Sequence, residues 1–224
     1  RSHNTAAAQA LMTYVGIENS VAYLLRLGVD ADHINANGSG LALGSSSLSV
    51  IELAAGYGAV GNLGEYLEPY AFTRIENSDG SIYIDVSQVQ LKRQVFKEST
   101  AWMLVDVLKG CVTSGVGTGS QANFRGMEIA GKTGTNSDNV GVTFAGMSGY
   151  YSAAVWIGSD NYKPLASNAT GGNSAAPLWS ALMEAVHYTT GCTQNRAILT
   201  KSASAVGLTQ ASCCGVSGMM PTSA

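Results

Sequence analysis

Gly126-Met127-Glu128-Ile129-Ala130-Gly131-Lys132-Thr133-Gly134-Thr135 is the stretch on which the fold turns. Gly126 through Thr133 spells G-x-x-x-x-G-K-T, the pattern of a phosphate-cradling loop, and Lys132-Thr133-Gly134 overlaps it with a second pattern. A phosphate loop needs a strand, a flexible glycine-rich turn and then a helix whose first N–H groups face the phosphates. Met127, Glu128, Ile129 and Ala130 contain no glycine and read as strand. After Thr133 come Gly134-Thr135-Asn136-Ser137-Asp138-Asn139-Val140-Gly141, turn formers through which no helix survives. The stretch therefore reads as the end of a strand entering a loop, and a nucleotide site is set aside.

Composition narrows the class. The chain has 224 residues, 46% hydrophobic and 12% charged, against about 25% charged in a typical globular domain. That length supports one large core. A net charge of −3 gives no electrostatic footprint for nucleic acid. No apolar run reaches the roughly 18 residues of a membrane-spanning helix. Cys111, Cys192, Cys213 and Cys214 contain no C-x-x-C pair and only three histidines accompany them, so neither a metal site nor a cofactor is expected. Cys111 reads as a buried free thiol at the end of a helix. Cys213 or Cys214 is available to pair with Cys192 in an oxidising compartment, and the sequence leaves the choice open. His3, His33 and His187 read as surface or packing residues, with no obvious carboxylate beside any of them.

Helical signals cover Thr5 to Val15, Ser20 to Leu27, Ser49 to about Val60, Thr100 to Lys109 and Ala176 to Tyr188. Ser49 with Glu52 forms a capping box, and Ser99 reads as the cap of the Thr100 helix. Asp30 to Ser47 reads as loop. Pro69 to Glu76 and Ser81 to Val86 flank Asn77-Ser78-Asp79-Gly80, a hairpin signal. Gly115 to Ser120 reads as a flexible loop, with Gly117-Thr118-Gly119 open either as a pocket wall or as plain linker. Met127 to Lys132, Val142 to Met147 and Tyr151 to Gly158 read as antiparallel strands joined by short turns. The class is α+β, a helix layer against an antiparallel sheet.

Taken in order, these stretches resemble the later part of the transpeptidase domain of class A penicillin-binding proteins. Ser2-His3-Asn4 entering a helix resembles the family's S-x-N. Leu41-Ala42-Leu43-Gly44 with Ser49 to Tyr57 resembles its ALGS and ELAxAY segment, and Gly131 to Thr135 falls where it has GKTGT. Val155-Trp156-Ile157-Gly158, Thr170-Gly171-Gly172 and Ala176-Pro177-Leu178-Trp179 complete the series. The likeness covers about Arg1 to Val186. It implies the penicillin-binding and serine β-lactamase-like fold, present only in part: residues 1–188 as the C-terminal part of the domain, and 189–224 as an extension poorly ordered from about 202.

Two departures stand out. Where the family has Asp-x-Trp-Phe after the GKTGT loop, this chain has Gly141-Val142-Thr143-Phe144. The family's nucleophile is the serine of S-x-x-K, and the residues three before each lysine here are Val89, Gln94, Asp106, Ile129, Asp160 and Ile198. The economical reading is a C-terminal fragment of a longer protein. Without the family's upstream strands, Tyr151 to Gly158 is expected to expose an unpaired apolar edge, and the fragment is not expected to fold alone.

The resemblance implies acyl transfer through a covalent serine intermediate. Ser2 is implied as a proton relay toward the leaving amine, although by itself it reads as a helix N-terminal hydroxyl. Asn4 would hold a lysine and a substrate amide. Lys132 suits a terminal carboxylate, with hydroxyls of Thr133 and Thr135 adding hydrogen bonds. Gly134 would let substrate approach the backbone, and the Thr135 N–H would serve an oxyanion. Substrate would add to this strand edge. The implied ligands are peptidoglycan stem peptides and β-lactams. The implied partner is the N-terminal part of the same protein, with S-x-x-K, a glycosyltransferase domain and a membrane anchor that places the domain on the extracytoplasmic face. The competing readings are a non-catalytic β-lactam-sensing or structural domain, and a β-lactamase or D,D-carboxypeptidase.

Overall fold

The alternation of residues in the last three strands explains the layering. Val142 and Phe144 point to one face of their strand; Thr143, Ala145 and Met147 point to the other. A strand buried on both faces reads as an apolar run, so helices must cover both sides. The computed structural model, which describes residues 10–136 and 138–211, places them there.

Three antiparallel strands stand side by side in chain order. They are β5, Ala130–Thr135; β6, Gly141–Met147; and β7, Ser152–Gly158. Lys132 pairs with Ala145 and Phe144 with Val155. Helices α1 (Ile17–Arg26), α2 (Gly38–Leu43) and α3 (Val50–Gly61) precede them. Three short strands follow: β1, Glu65–Leu67, and the hairpin of β2, Arg74–Glu76, with β3, Ile82–Asp85. A single helical turn, α4 (Val86–Val89), leads to β4 (Lys92–Gln94), which pairs with β1. Helices α5 (Glu98–Thr113) and α6 (Ala176–Thr189) complete the set.

On one face Val142, Phe144 and Val155 pack with Trp179 and Met183 of α6. The Phe144 and Trp179 rings lie 5.0 Å apart, and the Trp179 Nε1–H donates to the Ala153 carbonyl at 2.9 Å. On the other face Ala130 and Met147 pack with Val60 of α3 and Val105 of α5. Each fully buried side chain of this size contributes about 1.5–3 kcal/mol. A third cluster of Ala59, Tyr66 and Val95 seats the small β1-β4 sheet. An apolar cavity of about 260 Å³ opens between α1, α3 and α5, lined by Leu24, Leu27, Leu53, Tyr57, Leu104 and Leu108. Burial in that wall pushes the Tyr57 phenol up to about 12.

The capping box forms: Ser49 Oγ accepts from Glu52 N–H, and Glu52 accepts from Ser49 N–H at 2.7 Å. Several local readings need correction. The loop from Asp30 contains a 3₁₀ turn and α2. Helix α5 starts at Glu98 behind Lys97 with no side-chain cap, so Ser99 lies inside it. Cys111 is half-buried, not buried, and it and Cys192 are free thiols; Cys213 and Cys214 lie outside the described residues. His33 does have a carboxylate partner, with Nδ1 at 2.9 Å from Glu52. The hydrogen bond to Glu52 raises the His33 pKa. Burial pushes the Glu52 carboxyl up, yet the Asp30 N–H, both Ser49 donors and His33 outweigh it and hold it at about 2.

The segment after α6 returns across the body. Ile198 is buried, its N–H donates to Glu128 Oε1 at 2.9 Å, and the Lys201 ammonium reaches Glu98 at 2.7 Å. Further along, Ser204–Val206 forms a 3₁₀ turn.

Candidate active site

The later part of the deciding stretch is a strand, which begins at Ala130 and not at Met127 as the sequence suggests. Gly131 through Thr135 lies within β5, and a turn, not a helix, follows at Asn136. That geometry removes the phosphate loop. It also moves the motif from the strand's end into its body.

Among the described residues β5 pairs only with β6, so its other edge is open. The ladder tells which groups that edge displays. Asn136 N–H donates to Gly141 O, and residues on an antiparallel strand alternate in the direction they bond. The N–H groups of Thr135 and Thr133 therefore face outward, as does the Thr133 carbonyl. The Lys132 ammonium meets that carbonyl at 2.9 Å and donates to Thr133 Oγ1 at 3.3 Å. No carboxylate pairs with Lys132 among the described residues. A half-buried cation beside a hydroxyl and two outward N–H groups forms an anion-binding edge.

The other named residues divide. Thr133 joins Lys132 directly. The Thr135 hydroxyl is turned elsewhere, accepting the Gly171 N–H at 3.0 Å at the start of a π-helical turn, Gly171–Ala175. At Gly134 the structure shows a packing constraint: a Cβ there would stand 2.2 Å from Thr143 Oγ1. Ser2 and Asn4 lie outside the described residues.

The first departure from the family pattern, at Gly141 and Thr143, has a structural answer. Thr143 fills the space over Gly134, and the Trp156 indole of β7 lies across Gly141, within 2.6 Å of where a Cβ would sit. A large side chain from the neighbouring strand thus occupies the face that Gly141 and Thr143 leave open.

Thr118, on the loop that the sequence reads either as pocket wall or as linker, stands against the motif strand. Its hydroxyl lies 2.6 Å from Thr133 Oγ1. His187, by contrast, is a packing residue. It is buried among Phe124, Tyr150 and Tyr151, with Nε2 at 2.9 Å from Ser148 Oγ and Nδ1 at 2.7 Å from the Met183 carbonyl. Ser148 Oγ also accepts the N–H groups of Tyr150 and Tyr151, so this pair is committed to a turn.

An antiparallel sheet between helix layers, with a lysine and threonine on an open edge strand, is the α+β fold of the penicillin-binding transpeptidases. The sequence matches the family described as Penicillin binding protein transpeptidase domain across residues 2–184, and the chain belongs to that family. It is 35% identical over 190 residues to Penicillin-binding protein 1A of Clostridium botulinum, covering 84% of this chain and 22% of that protein. The Clostridium perfringens protein of the same name is 30% identical over 230 residues, 99% of this chain and 26% of its own length. The chain thus spans about a quarter of the length of these relatives. Among solved structures, Penicillin-Binding Protein 1A from Haemophilus influenzae superimposes with a TM-score of 0.80 at 21% identity, over 100% of this chain and 37% of that one. PonA1 from Mycobacterium tuberculosis, in complex with penicillin V, gives 0.67 at 21% identity over 88% and 60%.

Proposed function

We propose that this chain supplies the substrate clamp of a serine-type D-Ala-D-Ala transpeptidase that cross-links peptidoglycan stem peptides and is inhibited by β-lactams. The observation that carries this reading is the Lys132 ammonium set against Thr133 on the open edge of β5, with no carboxylate partner among the described residues. A D-Ala-D-Ala stem ends in a carboxylate that suits this cation, and the peptide backbone adds to the strand edge through the outward Thr133 and Thr135 groups. The Thr135 N–H then serves the oxyanion as the serine oxygen attacks the penultimate D-Ala carbonyl. Ser2 passes the proton to the departing D-Ala amine, and Asn4 holds the lysine of the nucleophile and the substrate amide.

The attacking serine and its lysine belong to a part of the protein beyond these 224 residues, since no lysine here has a serine three positions before it. The relatives' greater length supports further domains, and the family resemblance adds a glycosyltransferase domain as one of them. No helix among the described residues is long and apolar enough to cross a membrane. Attachment to the extracytoplasmic face of the bacterial membrane would come through another segment. The chain alone is inactive and depends on its upstream part to cover the edge of β7.

Treating the full-length protein with a fluorescent penicillin and mapping the label by mass spectrometry tests this. The label is expected on a serine outside these residues and to persist as a slow-release acyl-enzyme. Absence of label from the full-length protein, or rapid hydrolysis of the drug, contradicts the reading.

A further inference from the structure

The Thr118–Thr133 contact carries a consequence for how the clamp reads its ligand, and it rests on the carboxylate reading above. A threonine hydroxyl has one proton and two lone pairs. Lys132 Nζ is only a donor, so its 3.3 Å contact occupies one lone pair of Thr133 Oγ1. The 2.6 Å contact with Thr118 Oγ1 runs in either direction. If Thr133 donates to Thr118, its proton is spent and the site offers an anion only the ammonium. If Thr118 donates, both Thr133 lone pairs are filled and its single proton is left for an incoming acceptor. A carboxylate selects the second arrangement.

Thr118 is placed to sustain it. Cys111 Sγ lies 3.7 Å from Thr118 Oγ1, so the weakly donating thiol faces the lone pairs that Thr118 keeps. The loop carrying Thr118 is tied to the end of α5, with Gly119 N–H on the Cys111 carbonyl at 3.0 Å and Gly117 N–H on Ser114 O at 2.9 Å. Immediately beyond, Ser120–Ala122 forms a 3₁₀ turn whose Ala122 is fully buried. The hydroxyl itself stands at the exposed rim, where a ligand reaches Thr133 beside it.

We propose that Thr118 is a positioning residue that turns the Thr133 proton toward the ligand carboxylate, so that the chain Cys111, Thr118, Thr133 donates in one direction into the site. It touches no reacting atom.

The test uses the full-length protein and two probes, benzylpenicillin and its methyl ester, which differ only in the carboxylate. Thr118→Val and Thr118→Ala are each expected to slow acylation by the acid on the order of tenfold, as loss of one charge-assisted hydrogen bond does. Acylation by the ester should stay within about twofold of wild type, and Thr118→Ser should restore the acid rate. Equal slowing of both probes, an unchanged acid rate, or no recovery with serine overturns the role of Thr118 and leaves the transpeptidase reading standing. Failure of the wild-type protein to react with the acid overturns that reading itself, and the role with it.

Discussion

Glu128 Oε1 accepts the backbone N–H of Ile198 at 2.9 Å, a bond between residues 70 positions apart in sequence. Its other oxygen takes the Lys109 ammonium at 3.1 Å. One carboxylate therefore holds the returning C-terminal segment against α5 just before β5 begins. Truncation to Glu128→Ala leaves the Ile198 N–H without its acceptor, which costs about 1–3 kcal/mol. The expected outcome in the full-length protein is a lowered melting temperature with faster proteolysis between Gln194 and Lys201. Unchanged protease sensitivity would contradict the anchoring role.

Gly134 and Thr143 are coupled sterically. Gly134→Ala alone forces a Cβ to within 2.2 Å of Thr143 Oγ1, whereas Thr143 Cβ lies 3.6 Å away. The single variant is expected to lose about 1–3 kcal/mol from overpacking. Adding Thr143→Ala should recover most of it. Thermal denaturation of the single and double variants measures the coupling, and simple additivity would refute it.

Trp179 is the anchor of the α6 face. It is fully buried and spends its indole N–H on Ala153 O. Trp179→Ala is expected to cost about 3–5 kcal/mol in chemical denaturation. Trp179→Phe keeps most of the packing but removes the indole hydrogen bond to the Ala153 carbonyl, and should cost roughly 1–2 kcal/mol. Equal losses for the two variants would show that packing is not what the indole supplies.

The His33–Glu52 pair gives the start of α3 a defined pH window. Glu52 is held down at about 2 from an ordinary 4.5, so its contribution is complete above 4.5 and fades as pH falls toward 2. His33 is raised above 6.5, so its contribution is complete below 6.5 and is lost as pH rises through the folded value. This contact should therefore be strongest between pH 4.5 and 6.5. Proton NMR of His33 in the full-length protein should show a pKa above 6.5 that falls back in Glu52→Gln. No change in that variant would remove the pair from the account.

The antiparallel run at the C-terminal side was legible because its signals are local. Val142, Phe144 and Val155 sit in short apolar segments separated by glycine-containing turns, and the capping box is written in four residues, Ser49 to Glu52. Boundaries slipped where tertiary contacts override local chemistry. Ser99 has the right side chain for a cap, yet α5 begins at Glu98, whose carboxylate is held by Lys201. His33 lies 19 positions from Glu52, a separation no local pattern reports. At the site, Lys132 and Thr133 were visible as a motif, whereas the role of Thr118 depends on a loop folding back onto α5. Its only trace in sequence is the pair of glycines flanking it. Ser2 and Asn4 rest on the family pattern alone.

The measurement that bears most directly on the clamp is the acylation rate of the full-length protein by benzylpenicillin with Lys132→Met, alongside its melting temperature. Loss of a charge-assisted contact to the ligand carboxylate predicts a rate lowered by roughly a hundredfold while the melting temperature stays close to wild type. A wild-type acylation rate in a folded Lys132→Met protein would contradict the assignment of the β5 edge as the carboxylate clamp.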